Sequence, residues 1–220
     1  MTRPGPRPRW VTLEGTNGVG KTHLARLLRE HLDGAALLEE LPDAAPDRLP
    51  GQVIAALAAD SDPFLRTGHP LTETLALLAL TVRRREETPA ATVAVEDRGG
   101  DSVAVYQALT LAEATGADPY PLALRLLALA DRWRPRADLT VLVTAEETTR
   151  CARWSARLGR PLTNTEHRRA HAVARLYEQI AADDPGRYLV LDLAQHTTEQ
   201  ALSTVTSAIG ALTSPAGVPS

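Results

Sequence analysis

"EGTNGVGKTH", residues 14–23, decides how the rest of the chain is read. It contains the pattern G-x-x-x-x-G-K-[ST] as Gly15, Gly20, Lys21 and Thr22, with a third glycine at Gly18. Backbone N–H groups can wrap phosphate oxygens only if the loop curls tightly, which needs glycines free to take positive φ. The amphipathic pattern "GKTHLARLLREHL" predicts a helix over 20–32 that aims its unpaired N–H groups and positive dipole end at the same anion. Lys21 is then the group that reaches the β/γ-phosphates, and the Thr22 hydroxyl is the ligand for Mg²⁺. The apolar run "RWVTLE" (9–14) supplies the strand that such a loop must follow.

Outward from the loop, five apolar runs have strand length: 9–14, 35–40, 91–96, 138–144 and 187–193. They are continuous rather than alternating, as parallel strands covered on both faces are. Helical patterns separate them at 20–32, 71–86, 102–115, 119–132, 146–158, 165–183 and 197–211. This alternation predicts an α/β chain: a three-layer P-loop NTPase fold with a five-stranded parallel sheet and helices on both faces. Three stretches read as irregular, "LPDAAPDRLPG" (41–51), "ADSDPFLRTGHP" (59–70) and "LGRPLTN" (158–164). Ligands of open α/β sheets sit beyond the carboxyl ends of the strands, so 41–51 is a candidate site wall and 158–164 a candidate mobile cover. Residues 1–8 read as a flexible lead-in, 9–212 as one kinase-sized domain, and 213–220 as a frayed tail.

Composition bounds the function. A hydrophobic content of 44% with a formal net charge of −3 describes a globular chain and gives no global reason to expect nucleic-acid binding. Cys151 is the only cysteine, so there is no intramolecular disulfide or cysteine cluster, and a reducing, cytoplasmic setting is the default. No apolar run approaches a membrane span.

Two further stretches carry chemistry. "VEDRGGDSVAVYQ" (95–107) places Asp97 and Arg98 together at the carboxyl end of the third strand. Phosphoryl transfer needs a carboxylate near the metal and the acceptor, and an arginine to neutralise charge on the transferring group. In "RCARWSARLGRPLTNTEHRR" (150–169), Arg150, Arg153 and Arg157 fall on related helical faces, with Arg160 in the break that follows. They read either as a lid over about 150–166 that closes arginines onto phosphates, or as a solvated helix face. In "TVRRREE" (81–87), Arg83, Arg84 and Arg85 cannot all point inward; they suit a helix C-terminus, and one of them can turn towards the cleft.

Taken in order, these motifs resemble the thymidylate kinase family of P-loop nucleoside monophosphate kinases, over about nine-tenths of the chain. "LEGTNGVGKT" is similar to its phosphate loop. "EDRGGDSVAVYQ" resembles its D-R-[YF]-x-x-S-x-x-A-Y-Q segment through Asp97, Arg98, Ser102, Tyr106 and Gln107, and "RPRADLTVLVTAEETTRCARWSARLGR" its strand leading into an arginine-bearing lid. The resemblance implies ATP and Mg²⁺ at Gly15, Asn17, Gly18, Gly20, Lys21 and Thr22, with Asp97 as the second metal residue. It implies catalytic roles for Lys21, Asp97, Arg98, Arg153 and Arg157. It implies a small nucleotide-like phosphate acceptor, dTMP first, held by Glu14, Asn17, Arg83, Arg98, Ser102, Tyr106 and Gln107. It also implies a homodimer, with neither nucleic acid nor membrane as partner.

Departures from the family pattern cluster on the acceptor side. Asn17 stands where an aspartate is usual, and "EELPDAA" replaces an R-E-P-G-G segment. Ala79 aligns with the base-stacking aromatic, Gly99 with a tyrosine, and an Asp-Arg pair is missing from "RPLTNTE". Ala79 and Gly99 are therefore expected to open room for another acceptor, such as a modified nucleotide, a nucleoside or a specialised metabolite. A non-catalytic nucleotide-binding module is the remaining reading, against which Lys21, Thr22, Asp97 and Arg98 speak. No N-K-x-D signature suggests guanine as the donor base.

Overall fold

The computed structural model describes residues 7–40, 49–58 and 62–213. Most of the lead-in, most of the 41–51 wall and most of the tail lie outside them. Five strands, β1 (Arg9–Glu14), β2 (Ala35–Leu38), β3 (Val93–Asp97), β4 (Leu139–Thr144) and β5 (Tyr188–Asp192), form one parallel sheet in the order β2-β3-β1-β4-β5. Eight helices connect and cover it: α1 (Lys21–His31), α2 (Leu49–Leu57), α3 (Pro70–Glu86), α4 (Gly100–Thr115), α5 (Pro119–Ala130), α6 (Glu147–Leu158), α7 (Asn164–Asp183) and α8 (Thr198–Thr213). This is the expected three-layer fold.

The core has one layer on each face. Val11, Leu13, Val95, Val141 and Val143 of the sheet pack against Leu24 and Leu28 of α1 and Val205 and Ile209 of α8. On the other face Leu142 packs with Ala104 and Ala108 of α4, Leu127 of α5 and Val173, Leu176 and Tyr177 of α7. Strands covered on both faces are apolar at most positions, which explains the near-continuous runs.

Helix α2 corrects the sequence reading, which ran its first residues into an irregular segment and saw no helix there. "LPGQVIAAL" has Pro50 in its first turn, where proline is tolerated, followed by Gly51, and packing of Ile54 and Leu57 against Leu77 and Leu78 of α3 overrides the glycine's poor propensity. The 62–69 stretch is irregular, as expected. It is pinned to α3 by Glu73, which accepts hydrogen bonds from the Thr67 N–H (2.6 Å), the Thr67 hydroxyl (2.9 Å) and the His69 N–H (3.0 Å).

Candidate active site

Parallel pairing sets the site. Leu13 lies beside Asp97 in the β1–β3 register, so the loop after β1 and the Asp97-Arg98 pair after β3 emerge side by side at the carboxyl edge. The loop glycines are used as the spacing demands. Gly15, Gly18 and Gly20 have φ of 132°, 81° and 106°. A Cβ on Gly15 would lie 2.3 Å from the Val143 carbonyl oxygen, and one on Gly18 would lie 2.1 Å from that of Arg150. The loop is thus wedged against β4 and the first turn of α6, and only glycine fits at either position.

Lys21 is buried and donates to the Thr16 carbonyl at 2.7 Å, spanning the loop mouth. Burial, and then the nearby Arg98 guanidinium, push its ammonium down to about 7. Thr22 is half-buried beside it. Asp97 is buried with neither carboxylate oxygen hydrogen-bonded among the described residues. An orphaned, buried carboxylate costs free energy unless a cation joins it. A hard divalent ion such as Mg²⁺, with oxygen ligands from Asp97 and Thr22, fits that need.

Arg98 sits in the left-handed region at φ 63°, a strained setting for a non-glycine residue. Its own N–H donates to Leu13 O at 3.1 Å and its carbonyl accepts from Arg84 Nη1 at 2.8 Å. The conformation turns the guanidinium back over the loop, where it donates to Gly15 O at 3.3 Å and to Asn17 Oδ1. It also lies 5.3 Å from the Tyr106 ring centroid and pairs with Glu40, 2.5 Å from Nε to Oε1.

Beyond Arg98 opens a cavity of about 460 Å³, within the range of small-molecule sites. Asn17, Glu40, Asp62, Arg98, Ser102, Gln107 and Arg157 supply polar groups, and Phe64, Leu77, Tyr106 and Trp154 much of its apolar wall. Phe64 meets Trp154 edge-on at 5.4 Å and Tyr106 at 6.1 Å between ring centroids. A second cavity of about 350 Å³ lies on the other side of the loop between Gly20, His23, Leu24, Arg153, Leu193 and His196. Leu193 and His196 bring the loop after β5 to this cavity.

The structure therefore brings together Gly15, Asn17, Gly18, Gly20, Lys21, Thr22, Asp97, Arg98, Ser102, Tyr106 and Gln107. It divides the two lid arginines: Arg153 borders the second cavity, while Arg157 lines the first and donates to Glu40 Oε2 at 3.3 Å. The ends of the expected cover, 158–164, are set by Gly159, which caps α6, and by a Thr163–Glu166 capping box that starts α7.

Three expectations are corrected. Arg83 is not at the cavity: it is exposed and pairs with Glu86 and Glu87, at 3.4 and 2.7 Å. Its neighbour Arg84 is the one turned inward, donating to Leu38 O (2.9 Å), Glu39 O and Arg98 O. Glu14 does not line the cavity either. Fully buried, it accepts from Gly99 N (2.8 Å), Ser102 Oγ (2.5 Å) and Tyr177 Oη (3.0 Å), and burial pushes its carboxyl up to about 7. Ala79 is exposed on the far side of α3 and opens no room. Gly99, by contrast, does line the acceptor cavity, and it is also needed for packing: a Cβ there would lie 2.7 Å from Thr12 Cγ2 and 2.9 Å from Glu96 Oε2.

Sequence reasoning missed Glu40, Phe64, Trp154 and Arg84. Phe64 is the only phenylalanine of the chain and falls in a stretch already recognised as irregular, which was a usable signal. Nothing local distinguishes Glu40 from Glu39, or Arg84 from Arg83.

The fold formed by this sheet and loop is shared with solved thymidylate kinases. The enzyme from Ehrlichia chaffeensis superposes with a TM-score of 0.63 at 19% identity, covering 93% of this chain and 99% of that one. Thymidylate kinase from Candida albicans does so with a TM-score of 0.64 at 20% identity, covering 93% and 92%. No family model and no curated protein matches the sequence.

Proposed function

We propose that the chain is an ATP-dependent phosphotransferase of the nucleoside monophosphate kinase type. It would transfer the γ-phosphate to a small nucleotide-like acceptor, with dTMP the first candidate. The observation that carries this reading is the side-by-side placement of the glycine loop with Lys21 and of Asp97-Arg98, with one cavity on each side of the loop. The donor occupies the cavity bordered by Arg153 and the acceptor the one lined by Arg157. Lys21 and the loop N–H groups hold phosphate oxygens, and Arg98 bridges towards the acceptor. Thr22 and Asp97 would hold Mg²⁺, which would supply charge neutralisation on the phosphates. The protein groups do little covalent work; they position, exclude water and neutralise charge.

A second reading, an acceptor other than dTMP, is favoured by the acceptor wall. Its aromatic surface comes from Phe64, Tyr106 and Trp154, and no arginine of α3 lines it. The Candida enzyme's structure is described as revealing the origin of broad substrate specificity, so this fold accommodates such variation. A second copy of the chain is the proposed macromolecular partner. The exposed face of α3 carries Leu71 (63% exposed), Leu75 (54%) and Ala79 one turn apart. Among the described residues no helix is long and apolar enough to cross a membrane.

The test is ADP release from Mg-ATP with a panel of nucleoside monophosphates, nucleosides and no acceptor. Lys21→Ala is expected to lower kcat by at least about 100-fold while leaving the melting temperature nearly unchanged. Acceptor-independent ADP release, or an active Lys21→Ala variant, would sink the phosphotransferase reading.

A further inference from the structure

Away from the phosphate loop, one cluster of metal-ligating side chains plays no part in the proposed transfer. Glu147 and Cys151 stand at i and i+4 in α6, so they share one face of that helix. His167 lies in the first turn of α7, and its Nδ1 is 3.7 Å from Cys151 Sγ. A carboxylate oxygen of Glu147, the sulfur of Cys151 and a ring nitrogen of His167 all lie within 4.8 Å of one another. Among the described residues no other three donors drawn from His, Cys, Asp and Glu converge in this way.

The framework holds this convergence in place. Gly159 caps α6, and the Thr163–Glu166 capping box starts α7 directly before His167, whose own N–H donates to Thr163 O at 3.0 Å. Between the two helices Arg160 donates to both Glu166 oxygens, at 2.9 and 2.6 Å. One turn beyond the donors, Trp154 of α6 and Ala170 of α7 are buried in one cluster with Phe64, which fixes how the helices sit against each other. Cys151 is 9% exposed, whereas Glu147 and His167 are open to solvent. An ion arriving from water thus has an entry path that ends on a largely buried sulfur. Among the described residues the one ion pair of Glu147 is loose, 3.5 Å to Arg150.

The donor chemistry selects the ion. A thiolate and an imidazole are poor ligands for Mg²⁺, which takes oxygen, and good ones for Zn²⁺. A tetrahedral Zn²⁺ with bonds of about 2.3 Å to sulfur and about 2.0 Å to nitrogen holds those two atoms about 3.5 Å apart. The observed 3.7 Å meets that requirement with both backbones where they are. Glu147, being exposed, needs only a change of rotamer to bring its oxygen to the same ion. Thiolate and carboxylate together balance a dication, and the neutral imidazole adds no charge. The geometry points to a transition-metal site separate from the phosphate loop: Zn²⁺, or a dication of similar preference, bound by Glu147, Cys151 Sγ, His167 Nδ1 and one water, and joining α6 to α7. The thiol proton passes to solvent as the metal binds. The clamp acts on the helix that carries Arg153 and Arg157 and whose Arg150 carbonyl lies against Gly18, so occupancy stiffens the arginine side of both cavities.

The experiment is a metal titration of the untagged full chain, reduced with a non-chelating phosphine, in excess Mg²⁺ so that hard oxygen sites are filled. Co²⁺ is the optical probe and Zn²⁺ the competitor. One equivalent of Co²⁺ is expected to produce a sulfur-to-cobalt charge-transfer band with the d–d bands of a four-coordinate site, and one equivalent of Zn²⁺ to erase them. Cys151 is the only cysteine, so the band reports this site alone and must vanish in Cys151→Ser. His167→Gln and Glu147→Gln change exposed side chains and should keep the metal-free melting temperature. Each should weaken Zn²⁺ binding by calorimetry at least about 10-fold, the loss that even an outer partner of a metal site produces. Zn²⁺ should raise the melting temperature of wild type and leave that of Cys151→Ser unchanged. No charge-transfer band, or a Zn²⁺ affinity that survives His167→Gln unchanged, overturns the site. Neither result touches the phosphotransferase reading, which the titration does not involve.

Discussion

Lys21 shows how burial turns one side chain into a reporter of occupancy. Its ammonium, pushed down to about 7 by burial and by Arg98, is partly neutral near physiological pH in the free protein. A phosphate beside it favours the charged form. Above pH 7 the free protein has lost this proton and the phosphate-bound protein keeps it, so binding takes up a proton and affinity falls as pH rises from 7. Below 7 both forms carry the proton and the dependence flattens. Calorimetry of ATP binding at pH 8 in two buffers of different ionisation enthalpy should report uptake approaching about one proton. Heat that is independent of the buffer would mean that Lys21 is already charged. The loop glycines were legible at this scale because their constraint is local: the spacing alone requires a tight curl. The choice between Arg83 and Arg84 was not, since adjacent helical positions differ only in which one faces packed neighbours.

Among the elements, the irregular 62–69 segment matters more to the acceptor cavity than helix α3, which the sequence pattern favoured. Asp62 accepts from Phe64 N at 2.7 Å and pairs with Arg66 at 2.7 Å, and these contacts present the Phe64 ring between Trp154 and Tyr106. Under the proposed function this ring is a stacking surface for the acceptor. Phe64→Leu is expected to raise the acceptor KM by about 10- to 100-fold, the range for loss of one aromatic stack, while the ATP KM stays within two-fold. Equal changes in both constants would show that the ring only supports the fold. Helix α2 was missed for a related reason: its stability comes from the face that Ile54 and Leu57 pack on α3, which no local propensity records.

At the scale of the molecule, the strand order β2-β3-β1-β4-β5 gathers the ends of β1, β2 and β3 at one edge. Lys21, Glu40 and Asp97-Arg98 thereby become neighbours despite their separation in sequence. The same folding leaves the stripe of Leu71, Leu75 and Ala79 outside the core. If that stripe joins two copies, Leu75→Glu should convert a dimer to a monomer in light scattering, with the monomer's melting temperature little changed. A wild-type protein that is monomeric at tens of micromolar would remove this expectation.

The sequence by itself determined the sheet, the phosphate loop, the Asp97-Arg98 pair and the helical Ser102-Tyr106-Gln107 row. Each is encoded in short-range terms: an apolar run, a glycine spacing, a helical periodicity. Only the tertiary structure decided which side chains face each other across the cleft. Glu14 became an internal anchor for Gly99, Ser102 and Tyr177 rather than a wall of the site. Gly99 became a packing requirement, Arg84 replaced Arg83, and Glu40 settled on Arg98 and Arg157. The physical reason is common to all four. Burial and charge pairing depend on the register of parallel strands and the rotation of helices about their axes, and those follow from contacts between residues far apart in the chain.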